Sequence, residues 1–215
     1  MENIQFSNEE TKSLKESTLL YHTVKELIIY AEERDPGKKT FLQPTLELKY
    51  AFDHLMRVYA YKFGFKSADA EYVDTNLHKI FGHVYRAGYD SLDYLSIQFR
   101  KELLSEAGDF SPETLVKIFP KYYQEIKPDF EIADHEISKI RASKDIGDPN
   151  ADGLIEYAEI VKRLETHLRE FDKIKVSLIE YENEQRKREN DSHVREAILI
   201  IGAAIIGAII GVIFV

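Results

Sequence analysis

The sequence predicts an all-α fold, a cytosolic helical bundle whose long last helix continues into a single transmembrane helix. Apolar residues recur at helical spacing between Pro- and Gly-containing breaks, and no stretch alternates as a strand would. Segment 197–215 carries no charged or polar side chain. The 215-residue chain has no Cys, which excludes disulfides and thiolate metal sites, and its net charge of -9 argues against nucleic-acid binding driven by bulk charge.

The first two helices are predicted from their end signals. Ser7, followed by Asn-Glu-Glu, is a capping residue for a first helix that stops at Asp35-Pro36-Gly37. Pro44 and the Thr after it open a second helix, which ends near Gly64. Both breaks contain the residues that most strongly disfavour helix continuation, so we expect two separate helices here.

Three further helices follow. A long segment over 69–108 contains Gly82 and Gly88, where we expect kinks. Ser111-Pro112-Glu113 predicts the start of another helix, with Ser as the cap and Pro at the first helical position. A helix also follows Pro128. Residues 1–147 are therefore expected to form one helical domain.

The last helix before the apolar segment has a seven-residue period. Lys175 interrupts one of its two series, and the charged stretch 180–196 that follows contains neither Pro nor Gly. The period predicts a continuous stalk over 148–196 that assembles a homo-oligomer, with a tetramer favoured. The same seam could equally pack inside the chain's own bundle. Its members are Leu154, Tyr157, Val161, Leu164, Leu168, Phe171 and Leu178.

Segment 197–215 reads as a transmembrane tail anchor, because its length at about 1.5 Å per residue approaches the roughly 30 Å hydrocarbon core. Ala203, Gly207 and Gly211 recur every four residues and form a small-residue stripe suited to helix packing in lipid. Basic residues precede the segment, which predicts a single-pass protein of the inner (plasma) membrane with its N-terminal domain in the cytoplasm. They are Arg186, Lys187, Arg188 and Arg195.

Two His-x-x-Arg sequences are the candidate ligand-binding site. His54 and Arg57 lie in the second helix, and His83 and Arg86 lie in the third, with Asp90 one turn further. Arg offers a planar fork of donors, so the four basic side chains would suit a phosphate-bearing ligand such as a nucleotide or short oligonucleotide. The alternative is a buried Arg–Asp–His network that fixes the bundle.

The segment 148–159 resembles an EF-hand calcium loop. Asp148, Asn150 and Asp152 occupy its first, third and fifth positions, Gly153 occupies the sixth, and Glu159 the twelfth. The resemblance implies calcium as a cofactor, bound by these oxygen ligands. The flanks fit the family less well, and no second loop is present to pair with it. The alternative is a capped helix start, with an Asn or Asp as the cap.

Arg188 and His193 are similar to the Arg-x4-His motif of HEPN ribonucleases, which are also small helical domains. The resemblance implies RNA cleavage in a dimer cleft. The pair lies in a charged stretch, however, and a solvated helix face is the simpler interpretation. No other catalytic motif is present, and the sequence predicts a protein that is not an enzyme.

The combination of helical domain, heptad stalk and apolar tail resembles one-pass membrane effectors of bacterial anti-phage systems, of which the Hailong type is the nearest. The resemblance implies an oligomeric, ligand-gated channel or membrane-disrupting protein that contacts membrane lipid. It also implies a nucleotide signal and an enzyme that makes it. The alternative is a tail-anchored tethering or trafficking adaptor similar to a SNARE, although the heptads are short for that family.

Overall fold

The structure, a computed structural model, describes residues 5–35, 37, 40–69, 71–144 and 149–213, with side chains described through residue 202. Within this part of the chain every regular element is helical, which confirms the all-α helical-bundle prediction. A π-helical turn, Tyr122–Ile126, directly precedes the fifth helix. The helices are α1 (Asn8–Arg34), α2 (Leu42–Lys62), α3 (Tyr72–Gly108), α4 (Pro112–Ile118), α5 (Lys127–Ser143) and α6 (Ala151–Ile213).

Helix ends follow the predicted capping signals. The Ser7 hydroxyl accepts from the backbone N–H of Glu10 at 3.1 Å, and the Glu10 carboxylate accepts from the Ser7 N–H at 2.8 Å, which completes a capping box. Ser111 caps α4 by accepting from the Thr114 N–H at 3.1 Å. Gly64, at φ +76°, ends α2 in the left-handed conformation that favours glycine.

The chain divides into two compact units, and it passes between them three times, within α3, near the start of α5 and within α6. Unit 1 comprises Met1–Leu103 and Asp129–Leu168, and unit 2 comprises Leu104–Pro128 and Arg169–Val215. Unit 1 contains α1, α2 and most of α3, together with α5 and the first part of α6. It therefore contains both His-x-x-Arg sequences.

The core of unit 1 is built around α3. Leu92, Leu95 and Phe99 are completely buried. Gly88 is the point of closest approach, since a Cβ placed there would lie 2.7 Å from Cδ1 of Leu154 and 3.0 Å from a methyl group of Val24. A glycine is therefore favoured where α1, α3 and α6 converge. One helix runs through both Gly82 and Gly88, and the kinks there stay a prediction.

Unit 2 is organised around one aromatic side chain. Phe171 of α6 is completely buried, and the rings of Phe110, Phe119 and Tyr122 lie about 6 Å from its centroid. Lys121 adds an ion pair to Glu170, with Nζ 2.8 Å from the carboxylate. Tyr122, the first residue of the π-helical turn, therefore lies in the aromatic cluster around Phe171.

The heptad seam of α6 packs inside the chain. Its seven predicted residues are each at most 4% exposed, and they are divided between the cores of the two units. The intramolecular alternative is therefore the one that the structure adopts. These side chains are not available to pair with a second copy, and a homo-oligomer would have to use another surface.

The predicted transmembrane helix over 197–215 is corrected by the structure. In the part of the chain that the structure describes, no helix is long and apolar enough to span a membrane. Of the predicted segment, 197–213 is described as the end of α6, and side chains are described only for 197–202. The predictions of a tail anchor and of a single-pass inner-membrane location are wrong by the same finding. The stripe of Ala203, Gly207 and Gly211 lies outside the residues whose side chains are described.

Candidate functional site

Helices α2 and α3 bring the two predicted histidines together. The rings of His54 and His83 stack with centroids 5.2 Å apart and planes 21° from parallel. The ring of His54 is held in place by a hydrogen bond to the buried Asn76, with its Nδ1 2.8 Å from Oδ1 of Asn76. The ring of Tyr50 lies beside them, 5.5 Å from that of His83 and tilted by 44°. A partly exposed aromatic surface therefore forms between the two helices.

Glu47 of α2 is the centre of this site, which we call the Glu47 cluster (Glu47, His54, His83 and Arg86). One of its carboxylate oxygens, Oε2, lies 2.8 Å from Nδ1 of His83 and accepts from Nε of Arg86 at 2.9 Å. The Glu47 and His83 side chains are 13% and 16% exposed, and Arg86 is 26% exposed. The basic pair thus already binds one anionic group, and does so at the edge of solvent.

The Nδ1 atom of His83 has two competing partners. It lies 2.8 Å from the Glu47 carboxylate and 2.6 Å from a terminal nitrogen of Arg86. A neutral ring either donates from this nitrogen to the carboxylate or accepts there from the guanidinium, but it cannot do both. The ring can therefore change its hydrogen-bond partner without any change in position.

The surroundings of the cluster lower the pKa of both Glu47 and His83, for different reasons. Burial raises the pKa of Glu47, but hydrogen bonds from His83 and Arg86 outweigh it and leave the pKa below its usual value. Burial lowers the pKa of His83, and the neighbouring Arg86 charge adds to this, while the hydrogen bond to Glu47 opposes it. The resting site is therefore an ionised carboxylate paired mainly with the permanent charge of Arg86.

Arg57, the fourth predicted ligand, lies outside this cluster. Its guanidinium pairs with Asp53 one turn earlier at 2.7 Å, and both side chains are about half exposed. The structure therefore brings together three of the four predicted residues. The sequence did not lead us to predict Glu47. It could have been found, because Glu47, Tyr50 and His54 lie at positions i, i+3 and i+7 on one face of α2. His83, Arg86 and Asp90 have the same spacing on α3.

Asp93, two turns after Arg86 on α3, belongs to a second polar network. Asp93 accepts from the Tyr157 hydroxyl at 2.8 Å and lies 3.5 Å from the Arg141 guanidinium. Ser96 completes it, with its hydroxyl 3.1 Å from that of Tyr157. Tyr157 is completely buried, and burial raises its pKa well above the usual range. This network joins α3, α5 and α6.

Asp90 lies on α3 between the Glu47 cluster and this network. Burial raises its pKa, although the positive charge of Lys144 opposes the shift. Burial in turn lowers the pKa of Lys144, whose ammonium lies 4.3 Å above the ring of Tyr89. Asp90 on α3 is thus half-buried beside the Lys144 ammonium, which follows the end of α5.

The described part of the EF-hand-like segment is the start of a helix. The Asn150 side chain accepts from the backbone N–H of Asp152 at 2.9 Å, as in the predicted capping alternative, and α6 begins at the next residue after Asn150. Gly153 lies within the helix, where a Cβ would come 2.9 Å from the Tyr89 hydroxyl. Asp148 lies outside the described residues, and Glu159 is exposed on α6. No group of His, Cys, Asp or Glu suited to a metal ion occurs among the described residues. Calcium binding stays a prediction.

The HEPN-like pair lies on the exposed, charged part of α6. Arg188 is 70% exposed and contacts only Glu184, at 3.5 Å, among its described ion pairs, and His193 is exposed as well. RNA cleavage by these residues stays an untested alternative.

The fold and the Glu47 cluster define an all-helical protein with a polar cluster between two adjacent helices. Comparisons with known protein families, with characterised proteins and with solved structures found no match to this chain. Its function is therefore argued from the site alone.

Proposed function

We propose that this chain is a signal-binding effector, in which a nucleotide or short oligonucleotide binds at the Glu47 cluster and displaces the Glu47 carboxylate. The observation that supports this is that His83 and Arg86 already hold one carboxylate oxygen at 2.8 and 2.9 Å at the edge of solvent. A phosphate oxygen would offer the same acceptor with more charge. The part of the effector resemblance that depended on a membrane anchor is not retained.

The surroundings of the cluster suit the rest of a nucleotide. The stacked rings of His54 and His83, with Tyr50 beside them, offer flat faces for a base. Bases stack on such rings with little sequence preference, so the phosphate contacts at Arg86 would fix the ligand's position. Displacing Glu47 would remove an ionic contact between α2 and α3, and that loss would be the response to the signal.

The competing interpretation is that Glu47, His83 and Arg86 only brace α2 against α3. The two interpretations predict opposite effects of removing the Glu47 charge. As a brace, Glu47→Gln should destabilise the protein and gain nothing. As a competitor for the ligand, the same substitution should tighten anion binding, because the site loses its resident negative charge.

The test is isothermal titration calorimetry at low ionic strength with ATP, GTP and cyclic di- and trinucleotides. At least one should bind the wild type, and Glu47→Gln should bind it about tenfold more tightly. Arg86→Ala should weaken binding about tenfold or more, since it removes charge-assisted hydrogen bonds. Arg57→Ala is the matched control and should change affinity less than about twofold, because Arg57 lies outside the cluster.

Two results would overturn the proposal. One is that no nucleotide of the series binds either the wild type or Glu47→Gln. The other is that binding is unchanged in Arg86→Ala, which would place the ligand elsewhere. Arg86→Lys, which keeps the charge, serves if Arg86→Ala fails to fold, and circular dichroism monitors the fold throughout.

An oligomeric assembly also remains part of this proposal. The seam cannot supply the interface, so another surface must be used, and α2 exposes several large apolar side chains. The exposed apolar residues of α2 are Leu42, Tyr50, Phe52 and Met56. Light scattering on the purified chain tests the assembly, and a monomer at every concentration would contradict it.

A further inference from the structure

A cavity of about 510 Å³ lies between α1, α2 and α3 within unit 1. Its walls are mostly apolar, and its volume falls in the range of small-molecule sites. No residue of the Glu47 cluster lines the cavity, and on α2 the two sets are centred on different sides of the helix. The cavity is therefore distinct from the Glu47 cluster. Its main apolar residues are Leu14, Leu48, Phe52, Leu55, Ile80 and Val84.

One polar group in the cavity wall has no protein partner. Ser17 is 5% exposed, and its hydroxyl makes no hydrogen bond within the described part of the chain. The neighbouring wall hydroxyls differ, because Thr18 donates to the Leu14 carbonyl at 2.7 Å and Thr45 to the Phe41 carbonyl at 2.9 Å. The Ser17 hydroxyl oxygen has almost no accessible surface and leaving it unpaired is costly, so rotation of this side chain toward a ligand oxygen in the cavity would be favoured.

The rim of the cavity carries a positive charge. Lys49 lines the cavity, is exposed, and forms no ion pair among the described residues. Its ammonium lies at the end of a long apolar stem, which suits a charged head group at the mouth of an apolar cavity. The cavity thus combines an apolar wall, one buried hydroxyl and one charged rim residue.

We infer that this cavity binds a medium-chain carboxylic acid that carries a second oxygen on its chain, such as a hydroxylated fatty acid. The alkyl chain would lie against Leu14, Leu55 and Val84. The carboxylate would pair with Lys49 at the mouth, and the second oxygen would accept from or donate to the Ser17 hydroxyl. An uncharged hydrocarbon would leave both polar groups unused, and a nucleotide would have to bury its charge against apolar walls.

The experiment is calorimetric titration of the full chain with decanoate, decanol, and decanoates hydroxylated at either end of the chain. Decanoate should bind at one equivalent per chain and more tightly than decanol. Lys49→Gln should remove about a fivefold preference for the acid, the size expected for an exposed ion pair. One of the hydroxylated decanoates should bind more tightly than decanoate, and Ser17→Ala should cancel that gain without weakening decanoate itself.

A cavity-filling variant separates this site from general adsorption. Leu55→Trp should fill the cavity and weaken decanoate binding about tenfold or more, whereas Leu42→Trp, on the same helix but outside the cavity, should leave it unchanged. Arg86→Ala should also leave decanoate binding unchanged, which keeps this test independent of the nucleotide proposal. If Leu55→Trp fails to fold, the Ser17→Ala and Lys49→Gln comparisons decide. The inference is overturned if decanoate does not bind the wild type, or if it binds Leu55→Trp equally well.

Discussion

Helices α2 and α3 meet along the Glu47 cluster, yet the protein holds them in different ways. Helix α3 is buried along its length, with Leu92, Leu95 and Phe99 completely inaccessible. Helix α2 buries only Pro44, Ala51 and Val58. The comparison teaches that the two helices contribute unequally to stability. The core of unit 1 is built around α3, and both candidate ligand sites lie where α3 meets the less buried α2.

The largest expected effect contrasts the same substitution on the two helices. Leu92→Ala on α3 should lower the free energy of unfolding by about 2–5 kcal/mol, because it leaves a cavity in a closed core. Leu55→Ala on α2 should cost about 1 kcal/mol, since this half-buried side chain already borders a cavity. Urea unfolding followed by circular dichroism measures both. Equal losses would contradict the division between the helices.

The next effect compares two glycines within α3 itself. Gly88→Ala places a methyl group 2.7 Å from Leu154, and overpacking of this kind costs about 1–3 kcal/mol. Gly82→Ala meets only the tip of Arg86 at 3.6 Å, so it should raise stability by about 0.5–1 kcal/mol through its higher helix propensity. Thermal unfolding of the two variants shows whether each substitution raises or lowers the stability. A stabilised Gly88→Ala would show that Leu154 can move aside.

A pH-dependent effect concerns the ion pair that holds the end of α2. Lys62 of α2 donates to the Glu10 carboxylate of α1 at 2.6 Å, and both side chains are less than one-fifth exposed. Burial raises the pKa of Glu10, but the hydrogen bonds from Lys62 and Ser7 outweigh it and lower the pKa below 4.5. The pair therefore contributes stability above pH 4.5, and that contribution is lost as the pH falls through the lowered folded-state pKa.

Glu10→Gln tests this pair. We expect a loss of about 1–2 kcal/mol at about pH 7, because hydrogen bonds to charged groups contribute about that much. The difference from wild type should narrow as the pH is lowered below 4.5. Chemical unfolding at several pH values measures it. A difference that did not depend on pH would mean that the loss comes from the cap rather than from the charge.

The smallest expected effect is at Arg57. Its i, i+4 pair with Asp53 is exposed on both sides, so Arg57→Ala should change the free energy of unfolding by less than about 0.5 kcal/mol. Added salt should reduce even that difference. Urea unfolding at two salt concentrations is the measurement. A larger loss would mean that Arg57 has a role that its exposed position does not indicate.

Local signals in the sequence predicted the helices well. Ser7 and Ser111 cap helices at the predicted positions because a cap depends on only three or four neighbouring residues. The seven-residue period of α6 was also correct, but a period states only which face is apolar. It does not state what covers that face, and Phe171 is covered by the chain's own aromatic side chains.

The site was only partly predictable for the same reason. In the sequence, Arg57 and Arg86 are indistinguishable as candidate ligands, because each follows a histidine by three residues. The structure separates them, since Arg57 has an acid one turn away on its own helix whereas the partner of Arg86 comes from another helix. The cavity beside Ser17 could not be predicted, because an unfilled volume depends on how three helices pack.

The cavity also has an optical consequence. The chain contains 13 Tyr and no Trp, so its near-ultraviolet emission arises from tyrosine alone. Phe52 lines the cavity and is 59% exposed, which leaves room for a larger ring at that position. Phe52→Trp would place the protein's single indole beside the space that a ligand would enter. Its emission could then be excited apart from the tyrosines and would shift to shorter wavelength as water left its surroundings.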